Sequence, residues 1–130
     1  MNREPIGCRC CWPESADEAW QLRLALERRT ELINESHFHV LILACTTCSQ
    51  RFLSVFLESI DWENGDDPQA WTLMPLTAGE ESQLLRGSES LEEAMVLSIG
   101  IDRRSLWHDH PKGGSAVSSW GRGILVRLHD

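Results

Sequence analysis

Cys8 with Cys11, and again Cys45 with Cys48, place paired thiols three residues apart, and these pairs hold four of the five cysteines in 130 residues. Thiols at that spacing share one tight turn, so both sulfurs can reach a single metal ion or exchange a disulfide. If the pairs share an ion, two turns distant in the chain must meet in space. No other feature constrains the fold as strongly. Cys10 lies inside the first pair and could replace either neighbour as ligand or stay free.

The chain is 42% hydrophobic and 25% charged, which suits one compact domain over residues 1–130 with a core of its own. A metal would then tie down one lobe without supplying all the stability. No apolar run approaches the ~20 residues needed to span a bilayer. The opening Met-Asn-Arg-Glu-Pro lacks the charged-then-apolar pattern of a signal peptide. The expectation is a cytoplasmic protein without a membrane partner, where cysteines serve as metal ligands or redox thiols more readily than as disulfides.

Charge is unevenly spread around the net −8. Residues 1–100 hold 7 Arg against 17 Asp and Glu, for −10; residues 101–130 hold 4 Arg and 1 Lys against 3 Asp, for +2. An acidic body repels phosphate backbones, which disfavours nucleic acid and favours a protein partner with a basic surface. Solubility alone would also account for the charge.

Ser15 and Glu18 have capping-box spacing, and Ala19, Leu22, Leu26 and Ile33 follow at helical intervals. These predict one amphipathic helix over 16–34. His37 to Leu43 reads as a short buried strand. Periodicity leaves Arg51 to Trp62 open between helix and strand, but Trp62 and Trp71 flank an Asn-Gly and Asp-Pro turn as cross-strand aromatics would, which favours strand. Trp71 to Leu76 gives a further strand. Thr77 and Glu80 open a second helix to about Leu85, and Leu91 to Ile99 a third, with Gly100 placed for a left-handed cap. Residues 101–120 read as loop-rich, and Ile124, Val126 and Leu128 alternate as a last strand. The outline is α+β: a small, mostly antiparallel sheet with packed helices and a cysteine lobe.

A closed site of four thiolates suits zinc and leaves no position for water, so its role is structural. Cys8, Cys11, Cys45 and Cys48 are the expected ligands, held from two turns. The arrangement resembles a zinc ribbon, whose knuckles each contribute two cysteines from hairpin turns. The first knuckle, Cys8-Arg9-Cys10-Cys11-Trp12, departs from that pattern in lacking the usual proline and trailing glycine. The resemblance implies a structural metal and no particular activity.

A redox alternative reads Val40 to Cys48 as the strand and Cys-x-x-Cys of a thioredoxin-like enzyme, followed by a helix over 50–60 and served by Pro75 in cis form. Ala44, not the tryptophan of the typical motif, directly precedes Cys45, and the scheme leaves Cys8, Cys10 and Cys11 without a role.

His37 and His39 could share a metal from one strand face, and His108 with His110 from a loop, although nothing in the sequence sets their geometry. Asp61, Glu63, Asp66 and Asp67 lack the twelve-residue calcium pattern and read as an acidic hairpin tip. Neither a phosphate loop nor a nucleophile elbow is present. Trp107 and Trp120 are the tryptophans best placed to be exposed, and beside Arg103, Arg104 and Arg122 they would make a binding surface, but ordinary packing in the core is the favoured reading. With no catalytic or organic-cofactor residues to assign, the expected function is a non-enzymatic, zinc-stabilised protein-binding module. An acidic inhibitor or antidote-type protein fits that size and charge, and a thiol–disulfide oxidoreductase using Cys45 and Cys48 is the alternative.

Overall fold

The computed structural model describes residues 7–58, 68–111 and 113–126. Its centre is a six-stranded antiparallel meander in chain order: β1 (Glu27–Glu35), β2 (Phe38–Ala44), β3 (Arg51–Glu58), β4 (Gln69–Pro75), β5 (Arg104–His110) and β6 (Val117–Arg122). Three short helices, α1 (Ala16–Leu22), α2 (Ala78–Arg86) and α3 (Glu93–Leu97), lie outside the sheet. The architecture is α+β, as the sequence suggests.

Alternation along the central strands divides the core between the two faces of the sheet. On one face Val40, Ile42, Leu53, Val55 and Met74 pack with Leu84 of α2 and Val96 of α3. The other face carries Phe52, Leu73 and Leu106, covered by Cys11, Trp12 and Ala19 of the N-terminal segment and α1. Each layer is apolar because each strand side meets a helix or the cysteine lobe.

Residues 51–58 are a strand, paired from Phe38↔Leu57 to Ala44↔Arg51 with β2 and from Phe52↔Pro75 to Glu58↔Gln69 with β4. The expected helix over 16–34 is only half right. Ser15 caps α1 by accepting from the Glu18 N–H, but the helix stops at Leu22 and one 3₁₀ turn leads into β1. Tertiary pairing overrides helix propensity here, because β2 has a free edge that Glu27–Glu35 satisfies. Irregularities between Arg28 and Thr30 and between Glu31 and Ile33 rephase the strand, so the consecutive Leu32 and Ile33 both reach the core.

The loop-rich expectation for 101–120 is also corrected, since β5 and β6 pair there from Arg104↔Arg122 to Asp109↔Val117. Ser, Gly and Arg dominate β6, so its strand signal is weak; a partner strand, not local propensity, makes it extended. Ile124 to Val126 are not a strand: Ile124 packs on the core and the Leu125 N–H donates to Thr72 Oγ1 at 2.8 Å. Residues 127–130, and the acidic turn with Trp62, lie outside the described residues.

The predicted second helix is present, with a reciprocal capping box between Thr77 and Glu80. The third is shorter than its apolar spacing implies, running only from Glu93 to Leu97. Gly100 has φ +56, and a Cβ there would lie 2.8 Å from Met74 Sδ. The left-handed turn and the close approach both require glycine.

Candidate metal centre

Two turns bring the thiols together. In the first, the N–H groups of Cys11 and Trp12 both donate to the Cys8 carbonyl, at 3.1 and 2.7 Å. The second turn closes the β2–β3 hairpin, where the Cys45 N–H donates to Gln50 O at 3.0 Å and the Ser49 N–H to Cys45 O at 2.9 Å. Ser49 adopts φ +66, a left-handed conformation that glycine takes at least cost. Gln50 fixes the base of the turn by donating to the carbonyls of Arg51 and Leu76, at 2.8 Å each.

The sulfurs of Cys8, Cys11, Cys45 and Cys48 all lie within 4.8 Å of one another. Cys8 Sγ is 3.9 Å from Cys11 Sγ and 3.8 Å from Cys45 Sγ, and Cys11 Sγ is 3.8 Å from Cys48 Sγ. These separations are far beyond the ~2.05 Å of a disulfide. Those three match the edges of a tetrahedron instead: zinc–sulfur bonds of about 2.3 Å give edges of about 3.8 Å. The donor set and its spacing therefore fit a four-coordinate zinc. Cys10 is exposed and outside the cluster.

Cys11 and Cys45 are buried, Cys8 is half-buried and Cys48 exposed. Trp12 covers the inner side, its ring 5.4 Å from Phe52 and 4.8 Å, edge-on, from Trp120. The space beside Cys11 is full, because a Cβ on Gly7 would collide with Cys11 Sγ. Thiol acidity is graded across the cluster. Burial opposes ionisation of Cys45, but the N–H groups of Cys48 and Thr47 outweigh it and bring its thiol down to about 6. Burial, reinforced by Cys45, pushes the Cys11 thiol up. A cation can relieve this conflict by stabilising all four thiolates at once.

The arrangement required for thioredoxin-like chemistry is missing. Cys45 and Cys48 lie between β2 and β3, so a strand, not a helix, follows Cys48 in the chain. No peptide bond among the described residues is cis.

The histidines do not gather into a second centre. Among the described residues the cysteine cluster is the one group of three or more His, Cys, Asp or Glu side chains placed to share an ion. His37 Nδ1 lies 3.3 Å from Glu58 Oε1, and His39 packs edge-on to Phe56. His108 and His110 fall on strand β5, not a loop. The His108 ring stacks on Trp20 at 3.6 Å, and burial, with Arg23 and His110 nearby, lowers its pKa.

The tail tryptophans are half-buried and structurally engaged. Trp107 Nε1 donates to Gly123 O at 3.0 Å, and Trp120 Nε1 to Glu14 O at 2.8 Å. Arg103 binds Glu80 and Pro75 O, and Arg122 donates to Asp102 O. The sequence places Gly7 and Trp12 in the first cysteine turn but does not show what they pack against, because Phe52 and Trp120 come from distant strands. Among the described residues no helix is long and apolar enough to cross a membrane. No family model, curated protein or solved structure matches this chain.

Proposed function

We propose that Cys8, Cys11, Cys45 and Cys48 hold one structural Zn²⁺ in a non-enzymatic domain that acts by binding another protein. The observation that carries the metal assignment is the 3.8–3.9 Å spacing of sulfurs drawn from two turns. Four thiolates close the coordination sphere, so the ion serves as a clamp and offers no site for substrate. It joins the N-terminal segment to the β2–β3 hairpin, while the Trp12–Trp120 contact joins the same segment to β6.

The binding role rests on the acidic body and on the closed character of the site. A net charge of −8 favours a partner with a basic surface, as an inhibitor or antidote-type protein would have. Native mass spectrometry of protein purified without chelator should give one zinc per chain, with Cys10 as the single readily alkylated thiol. Absence of metal would overturn the assignment. Failure to recover a stoichiometric partner from native lysate would count against the binding role.

One observation favours the redox alternative: the lowered Cys45 thiol would be a competent nucleophile near neutral pH. That reading requires a reversible Cys45–Cys48 disulfide and fast alkylation of Cys45 without chelator. Thiols that react only after chelation eliminate it.

A further inference from the structure

The outer side of the α2–α3 layer is not closed. A cavity of about 400 Å³ runs between the two helices, with Leu84, Leu91, Met95 and Ile99 among its lining residues. Met95 remains 50% exposed, although it belongs to a short helix beside a well-packed core. Apolar side chains left open around a groove of this size are suited to receive an apolar anchor.

Charge around the groove is one-sided. Residues 77–100 hold five glutamates and one arginine. Two of these carboxylates are neutralised internally, Glu80 by Arg103 and Glu81 by Arg51. Arg86 turns back onto Ser82 O of its own helix. Glu89, Glu92 and Glu93 are exposed and lie within ion-pair distance of no cation among the described residues. Glu89 falls between the lining residues Gly87 and Leu91 in the chain, and Glu92 and Glu93 between Leu91 and Met95, so chain connectivity keeps all three beside the groove.

Resting on the protein-binding reading above, we infer that this groove is the docking surface, and that its occupant is a cationic amphipathic helix of a partner protein. One or two aliphatic side chains of that helix enter between Leu91 and Met95, while flanking Lys or Arg side chains meet Glu89, Glu92 and Glu93. This is helix-in-groove recognition with its charge complement supplied by the rim. The Arg103–Glu80 pair and the Thr77 capping box hold the floor in place, so the groove is formed before the helix arrives.

The test uses the zinc-loaded full chain and two synthetic helices, one of alternating Leu and Lys heptads and one with Glu in place of Lys. The Leu/Lys peptide should shift the Met95 and Leu91 methyl resonances saturably, at least tenfold more tightly than the Leu/Glu peptide. Glu89→Lys with Glu92→Lys should abolish that preference. Glu31→Lys with Glu35→Lys, an equal change of charge on exposed positions of β1, should leave most of it. All four positions are exposed, so well-dispersed amide spectra are expected to verify that both variants fold. Equal binding of the two peptides, shifts mapping elsewhere, or equal losses in both variants would overturn the proposal. Met95 shifts that depend on protein concentration without peptide would assign the groove to a second copy and overturn it likewise. The broader reading fails separately, when wild-type protein recovers no stoichiometric partner.

Discussion

Cys8 Sγ and Cys45 Sγ lie 3.8 Å apart although 37 residues separate them in sequence. Nothing local holds them there. Cys8 belongs to a turn ahead of α1, and Cys45 follows the last residue of β2. Their proximity depends on the N-terminal segment lying across the sheet, which Trp12 secures through Phe52 and Trp120. A metal at this point would convert that apolar contact into a strong crosslink.

Removal of single thiols should separate ligands from bystander. Cys10→Ser is expected to retain one metal per chain and the wild-type melting temperature. Serine at Cys8, Cys11, Cys45 or Cys48 should reduce metal occupancy and destabilise the fold by several kcal/mol, since metal binding and folding are coupled. Native mass spectrometry with thermal melts reads both effects.

Gly7 provides a steric test that leaves all four thiols intact. In Gly7→Ala the new Cβ would collide with Cys11 Sγ, and the turn has little freedom to yield because both Cys11 N and Trp12 N are bound to Cys8 O. Zinc should pass to a competing chelator at least tenfold more readily, while the far-ultraviolet dichroism of the sheet is unchanged.

Ser49 stores backbone strain at φ +66. A left-handed conformation costs a non-glycine residue roughly 1–2 kcal/mol, partly offset because glycine loses about 0.5–1 kcal/mol more on ordering. Ser49→Gly should therefore raise stability by about 0.5–1 kcal/mol, seen as a higher urea midpoint with unchanged slope. Ser49→Val should lower it.

The Glu80–Arg103 pair, at 2.5 Å, predicts a pH dependence. Burial opposes ionisation of Glu80, but Arg103 and the Thr77 N–H outweigh it and hold its pKa below the usual carboxylate value. A pKa depressed by folding contributes stability that is complete above the unfolded value of about 4.3 and is lost as pH falls through the folded value. Glu80→Gln should cost about 1–2 kcal/mol at pH 7, allowing for partial exposure, and progressively less below about pH 4. Denaturant unfolding of both proteins across pH 3–7 gives the difference; loss of metal in acid affects the two alike.

Much of this was legible from residue pattern where local chemistry and tertiary context agree. The apolar run Phe38 to Ala44, the Thr77 capping box and the Gly100 turn each announce themselves within a few residues. Glu27 to Glu35 did not, because charged residues with helical spacing also make an acceptable edge strand once a neighbour offers hydrogen bonds. The polar stretch Val117 to Arg122 was hidden for the same reason.

The spacing of Cys8 with Cys11 and of Cys45 with Cys48 follows from the chain alone, since only three peptide bonds separate the members of each pair and hold them on one turn. Whether two turns meet is a different kind of fact. It depends on which segments lie across the sheet, and that is decided by buried contacts between residues far apart in sequence. Tertiary structure alone therefore placed Phe52 against Gly7 and Trp12, left Cys10 outside the cluster, and opened the groove beside Met95.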